Sequence, residues 1–139
     1  MRSPHFIQLS RVDERRFITG CRHGLVHITW GRMTLRFSRD EFRLLVKLVG
    51  RAADERLPNT ARDGTLRVVC RKDEDCELRV GPLVLLLPPA DFQLFVGASR
   101  EAVQRLDEIL ASGMWDRPAP DDAPPGILER LRGFSFSQN

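Results

Sequence analysis

Between Gly24 and Trp30, and again between Met33 and Ser38, apolar side chains alternate with small or polar ones. That is the period of a strand with one buried face. Gly31-Arg32 separates the runs and predicts a two-residue type II′ hairpin, because glycine supplies the positive φ at the first central position. The turn sets the register. Val26 then opposes Phe37, Ile28 opposes Leu35 and Trp30 opposes Met33 on the apolar face, while His27 meets Arg36 and Thr29 meets Thr34 on the other. A slip of one residue would put Ile28 and Phe37 into water, so turn and pattern specify the same pairing. A helix is predicted directly afterwards. Ser38 is a good N-cap, Glu41 completes a capping box and Asp40 favours the positive helix end. Phe42, Leu45, Val46, Val49 and Ala53 fall on one helical face, with Gly50 as an early fraying point.

The pattern returns fifty positions on. Gly81 falls under Gly31, Leu78 under Ile28, Leu85 under Leu35, Leu87 under Phe37 and Phe92 under Phe42. Pro88-Pro89 takes the place of the Ser38 cap, suited to a first helical turn. If one residue is inserted, the preceding strands align with Cys21 under Cys70. The expected fold is therefore α+β: internally duplicated βββα units, about 5–57 and 64–113, forming an antiparallel sheet or two packed sheets with helices on one face. The copies differ at the second hairpin, where Leu83-Val84-Leu85-Leu86-Leu87 is apolar on both faces and predicts a strand covered on both sides.

Elsewhere the pattern is plainer. Residues 5–10 form a short strand, turned by Asp13-Glu14 into Arg16–Cys21, and the polar stretch 51–64 with Pro58 reads as a connection. The second helical region is broken at Gly97, and Ser99 caps a fresh helix closed by Gly113. One domain is expected over 1–115, then a Pro-rich acidic linker over 116–126 and a docking segment over 127–139.

Composition narrows the class. A chain of 139 residues can bury a core without staples, and three cysteines fit reduced thiols better than a disulfide framework. No apolar run suits a membrane helix, and MRSPHFIQLSR lacks the apolar segment of a secretory signal, so the cytoplasm is expected. Residues 1–63 carry a balance of +6 and residues 64–139 one of −3, giving +3 in total. A basic half can meet nucleic acid, an acidic partner or the acidic half of a second copy, and the last makes a homodimer the simplest partner.

Chemistry is thin. There is no Gly-x-Ser-x-Gly, no phosphate loop and no HExxH, and tyrosine is absent. Cys21, His23 and His27 offer ligand types for zinc, iron or copper. Alternation, however, sends Cys21 to the core and His27 to the outer face, so no metal or other cofactor is expected. Cys70 and Cys76 read as small buried apolar groups facing across a ladder, with a disulfide or redox switch as the alternative. Arg22, His27, Arg32 and Arg36 form a basic patch around the first hairpin, which supplies phosphate contacts but lacks exposed aromatics for stacking. Val84 and Leu86, with Ile127, Leu128, Leu131 and Phe134 in the tail, are the expected partner-binding residues. The leading expectation is a non-catalytic protein-binding accessory protein acting as a homodimeric adaptor. Nucleic-acid binding through the Arg-rich half, and a metal or thiol-redox role, are the alternatives.

Overall fold

A computed structural model describes residues 5–55, 59–63, 65–71 and 73–116. Four strands come first: β1 (Phe6–Asp13), β2 (Arg16–Cys21), β3 (Leu25–Trp30) and β4 (Met33–Ser38). They form an antiparallel meander in sequence order, and helix α1 (Arg39–Asp54) follows. The second half repeats this order with β5 (Asn59–Asp63), β6 (Leu66–Cys70), β7 (Cys76–Val80), β8 (Leu83–Leu87) and helix α2 (Pro89–Ser112), closed by a 3-10 turn at Met114–Asp116. The protein is α+β, with two four-stranded antiparallel sheets. Ile127, Leu128, Leu131, Phe134 and the linker lie outside the described residues.

The β3–β4 ladder has the register that the turn dictates, with Val26 opposite Phe37, Ile28 opposite Leu35 and Trp30 opposite Met33. Gly31 takes φ +70°. The capping box is present. Ser38 Oγ accepts from the Glu41 amide at 3.1 Å, and Glu41 Oε1 accepts from the Ser38 amide at 2.8 Å.

Several expectations change. The second half has four strands rather than three, since Asn59–Asp63, expected to be part of the connection, pairs with β6, and each unit is ββββα rather than βββα. The second set thus begins at residue 59, not 64. The strands before the two hairpins align without an inserted residue, although β1, with its two register shifts, carries two more residues than β5 along the same ladder. Ile18 pairs with Ile28 and Thr19 with His27 in one ladder, Val68 with Leu78 and Val69 with Glu77 in the other, a constant offset of fifty. Cys70 therefore stands where Gly20 does, not where Cys21 does. α1 continues through Gly50 to Asp54, and Gly50 is buried because the Arg100 guanidinium lies over it, Nη2 donating to its carbonyl at 3.3 Å. α2 passes Gly97 without a break; burial of Phe95, Val96, Ala98 and Ala102 around it outweighs the ~1 kcal/mol that one helical glycine costs.

The helices are exchanged between the halves. α1 lies on β5 and β6, and α2 lies on β1 and β2. Since α1 begins one residue after β4, and α2 only one residue further from β8, neither has the loop needed to fold back across its own sheet. Each runs out to the other. The inner faces of both sheets and the apolar faces of both helices meet in one cluster that includes Ile18, Ile28, Phe42, Leu45, Leu78 and Phe95. One buried hydrogen bond and three partly exposed ion pairs tie the elements together around it. Ser10 Oγ donates to the Ala98 carbonyl at 2.7 Å, Arg16 reaches Asp91 at 2.7 Å, and Arg43 and Arg100 of different helices pair with Asp107 and Asp54.

Candidate functional site

Because the helices cover the inner faces, the outer face of the first sheet is left open, and register tells which side chains occupy it. Gln8, Thr19, His27 and Arg36 are paired in one row across all four strands. Arg11, Phe17, Thr29 and Thr34 form the next row. At the other end Phe6 pairs with Cys21 and Leu25 with Ser38. These rows hold two arginines, two phenylalanines, a histidine and several hydroxyls, and no carboxylate.

Local geometry fixes the centre. Phe6, 45% exposed, meets the His27 ring edge-on with centroids 5.8 Å apart. Across the strand, Thr29 and Thr34 share a hydroxyl hydrogen bond of 3.3 Å. Burial of the His27 ring lowers its pKa below the usual 6.5, and the Arg36 charge opposite pushes the same way. Beyond the Arg11 row, the surface at the β1–β2 turn continues as an open depression lined in part by Arg11, Arg15 and Gly31. Two carboxylates also line it: Glu14 is exposed, and Asp13 is held by Arg16 at 2.6 Å, a bond that, with one from the Arg15 amide, keeps its carboxyl below the usual range.

The expected basic patch is only partly assembled. His27 and Arg36 stand side by side and Arg32 is exposed at the hairpin tip. Arg22 turns elsewhere, its Nη2 donating to the Trp115 carbonyl at 3.2 Å. Arg11, Phe6, Gln8 and Phe17 were not foreseen as its neighbours. Two register shifts in β1, between Gln8 and Ser10 and between Arg11 and Asp13, decide which of its side chains face outward. Strict alternation along β1 gives no sign of them.

Cys21 also departs from expectation. Gly20 faces the core, where a Cβ would lie 3.1 Å from Leu9 and Trp115, so Cys21 points to the same side as His27. It is nonetheless only 6% exposed, and its sulfur accepts from the His23 amide at 3.3 Å. His23 lies beside His5 rather than His27, with ring centroids 5.3 Å apart. Among the described residues no three metal-binding side chains come together. Cys70 and Cys76 are joined as a disulfide, where reduced thiols were expected. They close the β6–β7 ladder end from the core side and line a small cleft with Ala52, Ala53 and Phe92.

The second sheet presents a different outer face. Arg67, Val69, Glu77, Arg79, Val84 and Leu86 occupy it by register, without an aromatic ring, and Arg79 is paired to Glu77 at 3.4 Å. Among the described residues, no helix is long and apolar enough to cross a membrane. Comparison with protein-family models, with curated proteins and with solved structures finds no match for this chain.

Proposed function

We propose that this chain is a duplicated ββββα protein whose first sheet binds single-stranded nucleic acid on its outer face. The duplication is supported by the constant offset of the two ladders and by the glycines at φ +70° and +57° that turn the corresponding hairpins. The observation that carries the binding reading is an open, carboxylate-free sheet face on which Phe6, Phe17 and His27 alternate with Arg11 and Arg36. Rings offer stacking surface that any base can use, guanidinium groups take phosphates, and the Thr and Gln side chains reach base edges. An overall charge of +3 adds attraction at a distance.

Titration of labelled single-stranded DNA and RNA at two salt concentrations tests it. Binding weakens by about 0.7 log unit per tenfold rise in salt for each phosphate contact, so Arg36→Ala reduces the slope by about that amount. Phe6→Ala loses about 1–3 kcal/mol if a base stacks there. No binding at low salt removes the reading.

A second reading, the protein-binding adaptor, is favoured by one observation: Val84 and Leu86 stand 44% and 54% exposed on strand β8. A pull-down with the full chain and with Val84→Lys/Leu86→Lys tests it; equal capture by both sets aside the role of β8.

A further inference from the structure

The two sheets end in four edges, β1, β4, β5 and β8. Natural edges are blunted by charge, bulges or polar side chains, because unpaired backbone groups invite another strand. β1 has two register irregularities, β4 carries Thr34 and Arg36, and β5 reads NTARD. β8 has none of these protections. Its sequence is LVLLL, its register with β7 is unbroken, and both of its outward side chains are apolar and exposed.

We propose that β8 pairs antiparallel with β8 of a second copy of this chain, about a twofold axis through Leu85. Self-complementarity selects this occupant. With five residues the centre falls on Leu85, and Val84 then lies opposite the partner's Leu86, so each exposed side chain is covered by the other kind. Pro82 and Pro88 flank the strand and have no amide hydrogen to give, so a slip of two residues would set a proline against the ladder. Along the outer face the joined row runs Arg79, Val84, the partner's Leu86, the partner's Glu77, which brings no like charges together. The result is one continuous eight-stranded sheet made from the second sheets of two copies. This pairing rests on the exposed edge that also favours the adaptor reading, and it is independent of nucleic-acid binding on the first sheet.

Sedimentation equilibrium of the full chain at about 100 μM, above the micromolar Kd of a weak interface, is expected to show a dimer. Val84→Lys/Leu86→Lys is expected to be monomeric with unchanged circular dichroism. Disulfide trapping checks the register. A mixture of Val84→Cys and Leu86→Cys proteins is expected to cross-link to a heterodimer far more than either alone, since only the mixed pair is directly opposed. A monomeric wild type overturns the proposal, while the adaptor reading keeps its own pull-down. A dimer that survives the double lysine variant, or equal trapping by Val84→Cys alone, also overturns it. A full chain that is monomeric while the chain lacking residues 117–139 is dimeric overturns it too, and assigns the edge to that segment.

Discussion

His27 is where the electrostatics of the open face can be read directly. Burial and the neighbouring Arg36 both disfavour its charged form, so in the free protein the ring stays neutral further into acid than an ordinary histidine. The sign follows from linkage. A depressed histidine pKa means the unfolded chain binds more protons, so the stability this residue contributes is present above pH ~6.5 and is lost as pH falls through its folded value. A phosphate on the face acts oppositely and favours the imidazolium. Affinity for single-stranded nucleic acid is therefore expected to rise as pH falls below the ordinary histidine pKa of 6.5. The rise is expected to disappear in His27→Gln, and titration at constant ionic strength measures it; an equal rise in the variant assigns the effect to another group. The neighbourhood of His27 was half legible from sequence. Its partner Arg36 followed from the Gly31 turn, since a tight hairpin counts residues outward from one fixed point. Phe6 did not follow, because two register shifts in β1 lie between it and the Glu14-Arg15 turn, so counting outward from that turn misplaces it. Cys21 was assigned to the wrong face because Gly20 has no side chain to reveal which way the alternation ran.

At the scale of elements, what was legible was what local chemistry dictates. The capping box of α1 is such a case: Ser38 and Glu41 each satisfy an amide that the first helical turn leaves open. Ser38→Ala is expected to cost about 1 kcal/mol in denaturant unfolding. Because the Ser38 amide holds the Glu41 carboxyl below its usual pKa, the contribution of this bond is present above the unfolded carboxylate pKa and fades below it. The break expected in α2 at Gly97 is absent for the opposite reason. Gly97 is exposed with nothing near its missing Cβ, so it marks no turn and no close approach, and tertiary packing of Phe95, Val96, Ala98 and Ala102 carries the helix through. The β6–β7 end has a covalent tie beside its turn, where Asp73 takes φ +58° and the Glu74 amide donates to the Arg71 carbonyl at 3.1 Å. Opening the Cys70–Cys76 loop, six positions apart, is expected to cost about 2 kcal/mol by loop entropy, seen as a lower unfolding midpoint in Cys70→Ala/Cys76→Ala. An unchanged midpoint in that variant means the tie does not restrain the unfolded chain.

The whole molecule could not be deduced from either half. Apolar periodicity tells that α1 has a buried face, but not whose sheet it covers, since both sheets offer an apolar inner face. The deciding quantity is the length of the joint. With α1 starting directly after β4 and α2 almost directly after β8, each helix must leave its own meander, and the two halves become mutually dependent. This has a measurable consequence. Both tryptophans report on the first sheet: Trp30 lies in β3 against Phe95, and Trp115 packs beside Gly20 and under Arg39 at 5.3 Å. Leu78 is buried in β7 of the second sheet. If the sheets folded separately, Leu78→Ala would leave the tryptophan transition in place and split it from the far-UV signal. In the exchanged arrangement α1 rests on the second sheet and also packs along α2, which in turn holds β1 and β2, so damage at Leu78 reaches Trp30. Leu78→Ala is expected to lower stability by about 2–5 kcal/mol and to move both transitions together, as one cooperative step. Fluorescence and circular dichroism recorded on the same denaturant series decide between the two, and a tryptophan midpoint that stays still would show that the helices do not bind the halves into one unit.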